Sequence, residues 1–138
     1  MRLWHYELIP YLPKAMVISQ WQECIAIKRQ WEKGTLKHRL VSYVIGYDKR
    51  YFGNYVSMIL TEMTFRKIKH QKKYYKEFND FCGERIYDYG GYTGDVFRQH
   101  NDRYLKQCLY NLQEKADRGI ITQEEWQLIY NNFKEYLD

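Results

Sequence analysis

The chain has 138 residues, 45% of them hydrophobic, which fits one packed domain and excludes a disordered chain. No apolar run approaches the ~20 residues that cross a bilayer, and Arg2, His5, Glu7 and two prolines interrupt any signal-peptide core, so no membrane partner and a cytoplasmic location are expected. Of the net charge of +5, residues 1–76 hold 15 Lys and Arg against 5 Asp and Glu, and residues 77–138 hold 7 against 12; segregation of this kind suggests a polyanionic partner for the first half, although a plain solvated basic surface would show the same numbers.

Pro10 and Pro13 are the only prolines, and Pro13 suits the start of a helix over residues 14–31. Val17, Trp21, Cys24, Ile25, Lys28 (through its stem) and Trp31 recur at helical spacing along it. Lys33-Gly34-Thr35 ends that helix. Leu36, Leu40, Tyr43, Val44 and Tyr47 predict a second, shorter one. A third covers 49–68, with Phe52, Tyr55, Ile59 and Met63 on one stripe and Gly53 weakening its first turn. The run Arg66 to Lys73 suits either a phosphate backbone or a solvated face. Residues 82–95 hold four glycines and three tyrosines, a composition that predicts a loop with stacking faces. It lacks the spacing of a phosphate-binding glycine motif.

The last third is the most regular. Leu105, Cys108, Leu109 and Leu112 predict a helix over 103–117 capped by Asn101 or Asp102 and closed by Gly119. Thr122 to Glu125 is a capping box that opens a helix over 123–137, with Trp126, Ile129, Tyr130, Phe133 and Leu137 as its buried stripe. A short turn between two such helices makes them an antiparallel pair. The expected fold is all-α: one compact helical domain over 1–138 with a C-terminal antiparallel helix hairpin.

Three cysteines, Cys24, Cys82 and Cys108, with no Cys-x-x-Cys pair, speak against a disulfide framework or a zinc site. Cys24 and Cys108 read as core, while Cys82, before Gly83 in the predicted loop, reads as a thiol able to react. His5, His38, His70 and His100 show no metal-ligand spacing, so no metal site and no cofactor are expected.

The first 23 residues carry the sharpest signal. Met-Arg-Leu-Trp-His-Tyr-Glu-Leu-Ile-Pro-Tyr-Leu-Pro, followed by ten residues to Trp21-Gln22-Glu23, resembles the start of the pyrimidine-dimer DNA glycosylase family. Weaker likeness recurs at Glu62-Met63 and over His100 to Leu105, and suggests a bacterial branch. The resemblance implies that the nucleophile is the α-amine of the chain start, here Met1, and that Glu23 is the acid/base group. An α-amine titrates near ~8, well below a lysine near ~10.4. Near neutrality a useful fraction is therefore unprotonated and able to form a Schiff base with a sugar. A carboxylate beside it can stabilise the cationic sugar and move protons.

The resemblance implies damaged pyrimidines excised from double-stranded DNA, then abasic-strand cleavage, by a protein expected to be a monomer. Arg2, His5, Gln22, Lys28, Arg29, Lys37, His38 and Arg39 are the expected DNA contacts. Three positions depart from the family pattern: Arg2 replaces a small residue, and Gln22 and Ala26 stand where the best-known type carries arginine. They keep open a catalytically inactive relative that binds nucleic acid or a protein. A third reading is an interaction protein using the acidic hairpin, which would expose an apolar patch there. Catalysis instead requires the chain start and Glu23 to face one basic cleft.

Overall fold

A computed structural model describes residues 1–91 and 94–138. Among the described residues there are five α-helices and no strand: α1 (Lys14–Lys33), α2 (Lys49–Phe65), α3 (Lys73–Cys82), α4 (Asp102–Asp117) and α5 (Gln123–Phe133). Short 3-10 helices cover Tyr6–Tyr11, Ser42–Gly46 and Lys134–Tyr136. The all-α expectation holds.

Helix α2 is the hub. Phe52, Tyr55, Val56, Ile59, Leu60 and Met63 are each at most 1% exposed. Burial of such side chains contributes about 1.5–3 kcal/mol apiece before ordering costs. α1 and α3 both pack against α2 and also touch each other. Gly53 does not loosen α2 so much as admit α3: a Cβ there would lie 3.1 Å from Cys82 Sγ. Cys82 ends α3 instead of lying in the loop and is half-buried there, and burial pushes its thiol pKa up to about 12, against the expectation of a reactive cysteine.

Helix ends follow local chemistry. Gly34, at φ 70°, turns its N–H back to Gln30 and Trp31 and closes α1. α2 stops at Phe65, short of the expected residue 68. Lys67 takes the left-handed φ of 59° and the Ile68 N–H returns to the Met63 carbonyl at 2.8 Å. A closing glycine is absent, so no sequence signal marks that stop. α3 is missing from the expectation because lysines dominate its start and its first turn has no side-chain cap. The expected short helix after residue 36 is corrected to a turn and the 3-10 segment Ser42–Gly46.

The C-terminal hairpin forms, but α5 ends at Phe133 and passes into the 3-10 turn Lys134–Tyr136 instead of reaching residue 137, and Tyr130 and Leu137 of the expected stripe are only half-buried. Asn101 caps α4 through the Tyr104 N–H, and Thr122 and Glu125 make a reciprocal capping box on α5. Leu105, Leu109, Leu112, Ile129 and Phe133 are buried between the helices and the core. Trp126 is only half-buried, and Tyr110, Ile120 and Leu128 lie exposed on this hairpin.

The glycine- and tyrosine-rich stretch is a loop outside Tyr92 and Thr93, which lie beyond the described residues. It runs along α2, whose side chains satisfy its backbone. Ser57 Oγ accepts from the Tyr87 N–H, Thr61 Oγ1 from the Gly90 N–H, and Asn54 Nδ2 donates to the Asp95 carbonyl.

Candidate active site

Residues 2–5 run as an irregular strap through the core, with no sheet to satisfy their backbone. Side chains from three helices do so instead. Gln20 of α1 accepts from the Trp4 N–H at 2.8 Å and donates to the Arg2 carbonyl at 2.9 Å. Tyr55 of α2 donates to the Trp4 carbonyl at 2.6 Å, and Tyr104 of α4 donates to the Leu3 carbonyl at 2.5 Å. His100 Nδ1 accepts from the Tyr6 N–H at 3.2 Å, and its Nε2 meets the Tyr43 hydroxyl at 2.9 Å. Burial, and then the neighbouring His5, lower the His100 pKa to about 3, so the ring is neutral.

The strap then turns into the Tyr6–Tyr11 helix, which Arg66 holds. Its guanidinium donates to the carbonyls of Leu12, Pro10 and Ile9 and to Glu62. Arg66 is thereby removed from the basic run Arg66 to Lys73, which suited either a phosphate backbone or a solvated face.

This framing leaves the chain start at the edge of a cleft of about 330 Å³. Its lining includes Met1, Arg2 and Trp4 of the strap, Ser19, Gln20 and Glu23 of α1, Leu40, and Asn111 and Lys115 of α4. Glu23 faces it because Trp21, two residues earlier, points the other way into Tyr74 and Phe78 of α3. Gln20, one turn before Glu23, donates to Glu23 Oε2 at 3.1 Å through the same amide nitrogen that holds the Arg2 carbonyl. The Arg2 guanidinium lies over the rings of Trp4 and Tyr104, 5.4 and 5.9 Å from their centroids. One carboxylate therefore sits in a cleft with the cations of Arg2 and Lys115.

The other expected contacts divide by exposure. Gln22, Arg29, Lys37, His38 and Arg39 are exposed. Arg29 lies over the Tyr74 ring at 5.6 Å, on the α3 side of α1. His5 and Lys28 are two expected contacts that the fold buries, at 2% and 5% exposure. His5 caps the 3-10 helix through the Glu7 N–H and stacks on His100. Lys28 is held by Glu32 at 2.6 Å and Glu77 at 3.8 Å, so its charge is spent inside the protein. Trp4 is both a core anchor, at 8% exposure, and part of the cleft wall.

Gln20, Asn111 and Lys115 were not legible as site residues. Gln20 had one usable signal, its position one turn before Glu23 on the same helix face. Asn111 and Lys115 share a face of α4 at i, i+4, but nothing local ties that face to residue 1.

A family model described as pyrimidine dimer DNA glycosylase matches residues 1–76. That stretch holds the strap, α1 and α2; Asn111 and Lys115 lie outside it. Neither the curated proteins nor the solved structures contain a match to the chain.

Proposed function

Because the chain belongs to the pyrimidine dimer DNA glycosylase family, a family of DNA-repair glycosylases that act on damaged DNA, we propose that it excises damaged pyrimidines from duplex DNA with the α-amine of Met1 as nucleophile and Glu23 as acid and base. The observation that carries this reading is that Met1 and Glu23 line one cleft. Gln20 ties the two together by bonding the strap carbonyl and the carboxylate at once.

The steps balance without a cofactor. The amine lone pair forms a bond to C1′ while the C1′–base bond breaks and its electron pair leaves with the base. A proton delivered to O4′ opens the sugar and gives a cationic imine. Glu23 supplies the negative charge that stabilises this cation and exchanges the protons. The imine acidifies the C2′ proton; its removal expels the 3′ phosphate, and water releases the amine. Lys37 and Arg39, beside Leu40 of the cleft, hold phosphates, Gln22 contributes hydrogen bonds rather than charge, and Arg29, over Tyr74 on the α3 side of α1, is left out of this set. The protein acts as a monomer on bent duplex.

The test is strand scission on ultraviolet-irradiated duplex, with unirradiated duplex as control. Lesion-dependent scission supports the reading, whereas binding without scission on both lesion and abasic duplex would favour the inactive relative suggested by Arg2, Gln22 and Ala26. Absence of DNA binding would favour the interaction reading, for which Tyr110, Ile120 and Leu128 are the exposed large hydrophobics on the hairpin.

A further inference from the structure

We propose that Leu40 is a wedge that enters the base stack beside the lesion and holds the duplex open over the cleft. This rests on the reading of the cleft as a DNA-repair site. The expected helix would have buried Leu40; instead it is 48% exposed and lines the cleft that Met1 and Glu23 share. A half-exposed leucine alone is ordinary. Its setting is what distinguishes it: Met1 and Leu40 are the exposed large hydrophobics among the residues that line this cleft. Leu40 also follows Lys37, His38 and Arg39 directly, all three exposed.

The backbone presents this tip firmly. The His38 carbonyl accepts from Val41 at 3.1 Å and Ser42 at 2.9 Å, and His38 Nδ1 accepts from the Leu40 N–H at 3.3 Å. Leu36 and Val41, on either side, are 5% and 0% exposed and pin the turn to the core. An aliphatic side chain on a held turn loses little freedom when it inserts.

The chemistry needs such a device. Attack at C1′ needs the duplex opened at the damaged pair, and unstacking there costs free energy that a side chain filling the gap offsets. Cations flanking an apolar tip suit both parts of a duplex, the phosphates outside and the base faces within.

The test compares wild type with Leu40→Ala and Leu40→Met. Opening is read without chemistry, from the fluorescence of 2-aminopurine beside an uncleavable tetrahydrofuran abasic analogue, at equal occupancy of duplex. Wild type and Leu40→Met should raise the signal, and Leu40→Ala should lose most of that rise. The ratio of borohydride trapping on duplex to trapping on single-stranded abasic DNA should fall about tenfold in Leu40→Ala, equivalent to about 1.4 kcal/mol, and recover in Leu40→Met. A fluorescence rise in Leu40→Ala equal to that of wild type overturns the wedge, even if trapping succeeds. A Leu40-dependent rise with no trapping in any variant leaves the wedge standing and removes the Schiff-base chemistry. No duplex binding by wild type overturns both.

Discussion

Gln20 and Glu23, one turn apart on α1, are joined by a 3.1 Å hydrogen bond from the Gln20 amide to Glu23 Oε2. That amide also holds Arg2 and Trp4, so one buried side chain sets the position of the chain start and of the carboxylate facing it. Gln20 is 1% exposed and therefore has no water to replace these partners.

Gln20→Ala is expected to cost about 2–4 kcal/mol, since it strips partners from buried strap groups that lose about 1–3 kcal/mol each. Gln22→Ala, on the exposed side of the same turn, should stay within about 0.5 kcal/mol. Urea denaturation of the two variants checks this. Equal midpoints would show that the strap is held by other means.

Stability should depend on pH through His100. An unfolded histidine titrates near 6.5 and the folded ring near about 3, so between those values the unfolded chain binds more protons and stability falls as pH falls. Above about 6.5 both states are neutral and this contribution is fully present. Burial lowers the His5 pKa too, in the same direction. Between pH 7 and 5 wild type should lose about 2 kcal/mol more than His100→Gln, which keeps an acceptor for the Tyr6 N–H. Parallel pH profiles for the two proteins would contradict the buried neutral ring.

Reversing Lys37 and Arg39 to Glu should weaken duplex binding alike for every sequence. It should also flatten the dependence of log affinity on log salt by about two, one for each lost phosphate contact. Titrations at several salt concentrations measure both. An unchanged slope would place the phosphates elsewhere on the protein.

Glu23→Gln keeps the size of the side chain and its hydrogen bond to Gln20 but removes the negative charge and the proton carrier. Base removal and strand cleavage should fall about 10²–10⁴-fold, with duplex affinity nearly unchanged. Single-turnover cleavage beside a binding titration separates the two effects. Unimpaired cleavage would take Glu23 out of the chemistry.

The sequence made α1, α4, α5 and the capping box legible because their signals are local: apolar residues three and four apart, Gly34 after the last turn, Thr122 paired with Glu125. The opposite orientations of Trp21 and Glu23 followed from spacing for the same reason. What escaped was non-local. The strap carries no pattern of its own, since its partners Gln20, Tyr55, His100 and Tyr104 come from distant parts of the chain. Lys28 read as a surface cation although Glu32 lies one turn on, because its second acidic partner, Glu77, is on a helix that the lysine-rich run concealed. His5 read as a contact because nothing in the first six residues announces that His100 will cover it. Leu40 read as core because its spacing fitted a helix that the His38 turn replaces.

The central claim is that the α-amine of Met1 forms the covalent bond. Its most direct measurement is borohydride reduction on abasic duplex, followed by mass mapping of the DNA-linked peptide, on the free protein and on protein with that amine acetylated. The account predicts one adduct, on the residue 1 amine, absent after acetylation and formed far more slowly in Glu23→Gln. An adduct on a lysine side chain, or trapping that survives a blocked amine, would contradict it.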